Sequence, residues 1–349
     1  MNEKIPVAIL GATGAVGQRF IQLLADHPWF EIVALAGSER SAGQKYADLK
    51  WVLDSDPPAN IGQMTILPPE PSLPGKIAFS ALPSDVSRDI EPKFAAAGYA
   101  VCSNASTYRE SPNIPLLIPE INADHTSMIE KQRSIKGWPG LIVTSPNCTT
   151  TGLAMTLHPL HQVFGVKQVF VTTLQAVSGA GYPGVPFMDI YDNLIPYISS
   201  EEEKIRSETC LLLGKMTAGD RIPAEIGVSV QVNRVPVSDG HTLSIAVKFE
   251  RTPTVAEAIQ VLENFRGPRS TQGLPSAPKN PTLVRKEIDR PQPRRDRNAN
   301  NGMSVTVGRI RPCPLLDLRM VSVVHNTLRG AASGSILNAE LLVAGGFVG

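Results

Sequence analysis

The chain has 349 residues, 42% of them hydrophobic, which suits about two domains each with its own core. Thirty-three basic residues against 32 acidic ones leave a formal net charge of +1, so no global field draws it to nucleic acid or an anionic membrane, and any phosphate binding must be local. The four cysteines, Cys102, Cys148, Cys210 and Cys313, stand far apart without CxxC or Cys/His pairing at ligand spacing, which argues against a zinc site or disulfide framework and suits a reducing cytoplasm.

The opening MNEKIPVAILGATG leads straight into a strand without a signal-type n-region or cleavage site, and no apolar run reaches the roughly 18 residues of a membrane span. Residues 5–10 form an apolar strand, GATGAVG follows, a helix runs to about His27, and a second strand covers Glu31–Ala36, a βαβ unit. Gly11, Gly14 and Gly17 have GxxGxxG spacing, one residue wider than the dinucleotide fingerprint in the first gap. Set between strand and helix, the loop offers Gly11, Thr13, Gly14, Ala15 and Val16 to a pyrophosphate at the helix N-terminus. A NAD site usually ends its second strand with an acidic residue. Here the sequence is ALAGSERSAG, and Ser38, Arg40 and Ser41 suit the 2′-phosphate of NADP, with Glu39 beside them.

Strand-like runs at 77–82, which ends on Leu82 as a further cofactor contact, at 99–103 and at 141–144 alternate with helical stretches. That is the pattern of a Rossmann-like, doubly wound parallel sheet, so the fold class is α/β with residues 1–150 as the dinucleotide-binding domain. In LIVTSPNCTTTGLAMTLHPL the strand 141–144 passes through the turn Ser145-Pro146-Asn147 into a helix over Thr149–Leu160. Cys148 therefore stands at a helix N-terminus, where the dipole stabilises a thiolate, although a lone core cysteine is more commonly a small hydrophobe.

Beyond it lie longer strands at 166–177, 227–237, 241–250, 303–311 and 316–326, with one helix at Thr254–Phe265. They predict an α+β second domain, residues 151–330, with a mostly antiparallel sheet. The Pro- and Arg-rich stretch 266–302 reads as a solvated or interface-covering excursion, and the small-residue helix 331–346 as packing back on the first domain. Among the histidines, His27, His125, His158 and His161 lack a functional cluster and read as surface or satisfied groups. His241 follows VNRVPVSDGH, where a hairpin end brings Arg234 near it, an anion clamp beside a base; His325 is the alternative base. The glycine-rich loop LQAVSGAGYPG allows close backbone approach to a ligand or is a plain turn. Glu201, Lys204 and Glu208 of EEEKIRSET share a helix face whose spacing alone favours a solvated, ion-paired surface; Arg109 in SNASTYRE is similarly ambiguous.

GATGAVGQRF, SNASTYR, TSPNCTTTG, LQAVSGAGYPG, EEEK, RVPVSDGH, RPQPRRDR and HNTLRGAASG, in this order, resemble the archaeal and fungal branch of the aspartate-semialdehyde dehydrogenases over nearly the whole chain. The resemblance implies NADP-dependent interconversion of L-4-aspartyl phosphate and L-aspartate 4-semialdehyde, in lysine, threonine and methionine biosynthesis, by homodimers or homotetramers. By it Cys148 is the acyl-thioester nucleophile, His241 a general acid/base titrating near neutrality, and Gln175 orients the intermediate. Arg234 would bind the substrate carboxylate, Glu201 its amino group, and Lys204, Arg109 and Asn104 the phosphate; Asn326, Ser178 and Gly179 would lie near the nicotinamide. The rival readings are a malonyl-CoA reductase of the same superfamily, against which Asn147, the EEEK helix and RVPV weigh, and a non-catalytic NADP-binding protein, which leaves Cys148, Gln175, Arg234 and His241 unexplained together.

Overall fold

The computed structural model describes residues 3–217 and 219–348. In chain order its strands and helices are β1 (Ile5–Leu10), α1 (Ala15–Leu24), β2 (Phe30–Ala36), β3 (Ile66–Leu67), β4 (Ile77–Ser80), α2 (Ser84–Ala96), β5 (Ala100–Ser103), α3 (Pro119–Asn122), α4 (Met128–Lys136) and β6 (Leu141–Thr144). There follow α5 (Cys148–Phe164), β7 (Val166–Ala176), α6 (Phe187–Ile190), α7 (Glu201–Leu212), β8 (Lys215–Thr217), β9 (Asp220–Ile222), β10 (Gly227–Val235) and β11 (His241–Phe249). The last are α8 (Val255–Asn264), β12 (Thr282–Arg285), α9 (Pro293–Asp296), β13 (Val305–Pro312), β14 (Leu318–Val324) and α10 (Ala332–Ala344). Among the described residues no helix is long and apolar enough to cross a membrane.

Two compact units emerge. One takes in the chain up to Leu117, Asp124–Ser145 and everything from Ala331; the other consists of Ile118–Ala123 and Pro146–Gly330. In the first unit six parallel strands run in the order β3-β2-β1-β4-β5-β6, the doubly wound α/β sheet expected. Its strands are mostly apolar because both faces are covered, with exposed Glu31 near the start of β2 the charged exception. Val7 and Ile9 of β1 join a core with Phe20, Ile21 and Leu24 of α1 and Ile336, Ala339 and Leu342 of α10, whereas Ala8 and Leu10 join Phe94 and Ala95 of α2 on the opposite face. Buried His27 holds α10 as well, its Nε2 lying 2.9 Å from Glu340 Oε1.

In the second unit the sheet order is β10-β7-β11-β14-β13-β12. It is mixed: β7–β11, β11–β14 and β13–β14 pair antiparallel, but β10–β7 and β12–β13 pair parallel. Strand β12 is a departure from sequence expectation, since the stretch 266–302 contributes an edge strand and sends Arg285 and Arg290 to the buried carboxylate of Asp296. Burial alternates along β11, where His241, Leu243, Ile245, Val247 and Phe249 face inward. Helix α5 lies against β7, β11 and β14, and Gly152 permits the approach, since a Cβ there would stand 2.7 Å from Val324 Cγ1.

Candidate active site

Helix α5 begins at Cys148, and Asn147 caps it: its Oδ1 accepts from the backbone N–H groups of Thr149 (2.8 Å) and Thr150 (3.1 Å). Asn147 is held in turn by α7. Its Nδ2 donates to Glu201 Oε1 at 2.9 Å and its backbone N–H donates to Glu208 Oε2 at 2.6 Å. Glu201 and Glu208 are buried, 7% and 1% exposed, so the solvated-face reading of the EEEK helix is corrected: these carboxylates face the start of α5. Lys204, one turn from Glu201, is half-buried, and its ammonium has no partner among the described residues.

Cys148 Sγ lies 3.2 Å from His241 Nε2. The other ring nitrogen, Nδ1, accepts the backbone N–H of Ala176 at 3.0 Å. An Nδ1 that accepts cannot carry a proton, so the ring's proton sits on Nε2 and points at sulfur. A second proton is opposed as well, because burial first, then the charge of Arg234 and of His325, push the His241 pKa down to about 3. The expectation of an imidazole titrating near neutrality is therefore corrected. His241 is a neutral N–H donor, and together with the N-terminal dipole of α5 it stabilises negative charge on Cys148.

Arg234 and Gln175 are register partners on the parallel strands β10 and β7, and both are buried. Arg234 Nη1 donates to Ala176 O at 2.7 Å, which fixes the guanidinium beside His241. Gly179 makes room for both side chains, since a Cβ there would stand 2.7 Å from Arg234 Nη1 and 3.2 Å from His241 Cε1. Asn326 ties the loops together: its Oδ1 accepts from Gly240 N–H, just before His241, and its Nδ2 donates to Ser178 Oγ, each at 2.8 Å. Cys148, His241, Gln175, Arg234, Asn147, Glu201, Lys204, Ser178, Gly179 and Asn326 all belong to the second unit.

The remaining sequence candidates belong to the first unit. Gly11, at φ +79°, leaves no space for a side chain, because a Cβ would stand 2.8 Å from Ala81 O. Gly14 is the exposed N-cap of α1 and provides no side chain to close the helix end, so the N-terminal N–H groups of Ala15 and Val16 remain for a phosphate. Thr13 and Leu82 are half-buried beside this turn. Ser38 and Arg40 are exposed after β2, and Arg40 has no acidic partner among the described residues. Ser41 differs: it is buried, and its hydroxyl donates to Ser38 O at 3.0 Å, closing the loop. The loop fits a 2′-phosphate, with Arg40 as the available charge. Asn104 and Arg109 meet where Arg109 Nη2 donates to Asn104 O at 2.7 Å.

Residues 6–129 match the family of the semialdehyde dehydrogenase NAD binding domain and residues 157–329 that of the semialdehyde dehydrogenase dimerisation domain. The aspartate-semialdehyde dehydrogenase of Methanothermobacter thermautotrophicus is 50% identical over 97% of this chain and 99% of its own. The chain belongs to the aspartate-semialdehyde dehydrogenase family. The enzyme of Archaeoglobus fulgidus is 49% identical, covering 97% of both chains. The crystal structure of aspartate-semialdehyde dehydrogenase with NADP from Candida albicans superposes with a TM-score of 0.90 at 44% identity, over 97% of this chain and 99% of that one.

Three features of this family member's site escaped sequence reasoning. Glu208 carried only its helical spacing as a signal. The Ala176 N–H that sets the His241 tautomer is a backbone group and carries none. Gly330 closes on the nucleophile, since a Cβ there would stand 2.6 Å from Cys148 Cβ, and only its place in HNTLRGAASG pointed to it.

Proposed function

We propose that the chain is an NADP-dependent aspartate-semialdehyde dehydrogenase that interconverts L-aspartate 4-semialdehyde plus phosphate with L-4-aspartyl phosphate through a Cys148 thioester, in lysine, threonine and methionine biosynthesis. The observation that carries this is the Cys148–His241 contact of 3.2 Å at the start of α5, in a chain 50% identical to a relative of that name.

The thiolate of Cys148 attacks the aldehyde carbon, and the carbonyl electrons move onto oxygen. His241 Nε2–H stabilises that oxyanion by donating to it. NADP, when bound, supplies the hydride acceptor in this direction and the donor in the biosynthetic one. Loss of hydride restores the carbonyl as a thioester, so the oxygen need never keep a proton and a neutral His241 suffices. Phosphate then displaces sulfur as thiolate, giving the acyl phosphate. Arg234 takes the substrate carboxylate, Glu201 the amino group through the oxygen that Asn147 leaves open, and Gln175 orients the intermediate. Within the second unit Lys204 receives phosphate and Asn326, Ser178 and Gly179 serve the nicotinamide; within the first, Arg109 and Asn104 are phosphate-binding groups, and the Gly11–Val16 loop with Ser38, Arg40 and Ser41 takes the phosphates of the cofactor. The dimerisation-domain match supports a homo-oligomer, a dimer or a tetramer, and four free cysteines suit the cytoplasm.

The test is reduction of NADP by aspartate semialdehyde with and without phosphate. Phosphate-dependent turnover is expected. Efficient reduction of malonyl-CoA with indifference to aspartyl phosphate would transfer the assignment to the reductase reading, and cofactor binding without turnover would transfer it to the non-catalytic one.

A further inference from the structure

Glu120 and Arg329 form a bidentate ion pair, Nη1 to Oε1 and Nη2 to Oε2 both at 2.7 Å, with each side chain only 1% exposed. Removing two charges from water costs free energy that their attraction barely returns, so apolar residues of similar volume would bind α3 to its neighbours at least as well. What the charged pair contributes is geometry, because the planar guanidinium fork fixes a carboxylate in both distance and direction. The pair sits where such geometry matters. The chain enters the catalytic unit for six residues at Ile118–Ala123 and leaves it finally after Gly330, so Glu120 lies on the first excursion and Arg329 one residue before the last exit.

Arg329 adjoins the residue that packs on the nucleophile. A Cβ on Gly330 would stand 2.6 Å from Cys148 Cβ and 2.7 Å from Asn326 O, and Gly330 N–H donates to His325 O at 3.0 Å, closing the turn 325–330. The same turn carries Asn326, which holds Gly240 N–H immediately ahead of His241. Arg329 also reaches α5, its Nη2 lying 3.6 Å from Met155 Sδ. On the far side Glu120 is backed by Gly267, where a Cβ would stand 3.0 Å from Glu120 Cα. One guanidinium therefore braces α3, α5 and the turn that meets Cys148 through Gly330 and bonds the residue before His241 through Asn326.

We propose that Glu120 and Arg329 are positioning residues: their ion pair holds the 325–330 turn so that Gly330 and Asn326 keep Cys148 and His241 in register. This rests on Cys148 being the nucleophile. The double variant Glu120→Leu/Arg329→Met replaces the pair by apolar groups and tests the idea without leaving a lone buried charge. Glu120→Asp keeps both charges and withdraws the carboxylate by one methylene. Both are expected to lower kcat about ten- to a hundredfold with KM for NADP unchanged, since a displacement near 1 Å at a reacting centre costs about a hundredfold. Both should also change the second-order rate of Cys148 alkylation by iodoacetamide, followed by mass spectrometry. A purely structural pair would move the melting temperature alone, so wild-type kcat and alkylation rate in either folded variant overturn the proposal. The alkylation rate needs no substrate and reads the positioning even if wild type turns over a different acyl compound. Failure of the proposed function therefore shows in the wild-type assay and failure of the positioning idea in the variants.

Discussion

Gly330→Ala is the most direct perturbation of the nucleophile that leaves every reacting group in place. The added Cβ would stand 2.6 Å from Cys148 Cβ, 2.9 Å from Cys148 Cα and 2.7 Å from Asn326 O. Carbon atoms pack best at about 3.5–4.0 Å, so about 1 Å must be found. None of the three obstacles is the end of a flexible side chain. Cys148 cannot give freely, because Asn147 and Glu208 hold the first turn of α5, and the 325–330 turn is tied by Asn326 to Gly240 and Ser178. If Cys148 yields, its 3.2 Å contact with His241 opens to about 4 Å, at the limit of a sulfur hydrogen bond. The expected result is a kcat lower by about a hundredfold, with about 1–3 kcal/mol of stability lost to overpacking. Gly227→Ala on β10 is the control, since its Cβ would meet nothing nearer than Gln168 Cγ at 3.6 Å. Steady-state kinetics, Cys148 alkylation rates and thermal melts on both variants decide the matter. A Gly330→Ala enzyme with wild-type kcat and alkylation rate would refute the steric argument.

Cys148→Ser should abolish phosphate-dependent turnover while NADP binding, measured by calorimetry, stays intact, because the nucleophile is not part of the dinucleotide loop; retained turnover would remove Cys148 from the mechanism. Arg40→Ala should lose most of the preference for NADP over NAD, about 1.5–3 kcal/mol for a charge-assisted contact, and unchanged kcat/KM ratios for the two cofactors would leave Arg40 a solvated charge. Glu201→Gln should raise KM for aspartate semialdehyde and weaken discrimination against succinate semialdehyde, which lacks the amino group; equal discrimination in kinetics on both aldehydes would detach Glu201 from it. His158, buried against Phe265, has its pKa lowered by burial and by His161 from 6.5 to about 4. The unfolded chain therefore binds that proton first, and stability falls as pH drops from about 6.5 toward 4, by about 2 kcal/mol at pH 5. His158→Gln should flatten this acid slope in denaturant titrations at pH 5 and 7.5, and an unaltered slope would place the proton uptake elsewhere.

The parallel sheet was legible because burial on both faces writes itself as predominantly apolar runs, whereas β3, two residues long, carries no pattern at all. In the second unit strand lengths were legible but pairing was not. β7 and β10 run parallel because α7 intervenes between them, and a crossover of that kind leaves no mark on either strand. β12 is a four-residue edge strand inside a Pro- and Arg-rich stretch, and composition there outweighed its short apolar centre.

The site divides along the same line between local and distant causes. Cys148 could be placed at a helix start from its own neighbours, because strand, turn and cap are contiguous. Glu201 and Glu208 could not be separated from a solvated face by spacing, since a helix face toward water and one toward Asn147 have the same period; only burial distinguishes them. Glu120 and Arg329 meet across 209 residues, and nothing local marks either as the other's partner. His241 is the sharpest case, because its residue type was readable and its protonation state was not. Which nitrogen bears the proton is decided by an N–H that every residue but proline possesses, aimed by the end of β7 at Nδ1. That N–H directs the ring's proton at Cys148. Donor geometry at His241 thus comes from the Ala176 N–H, whereas its low basicity comes from burial first and then from the charges of Arg234 and His325, so the direction of the proton and the strength with which a second one is held have separate causes in the fold.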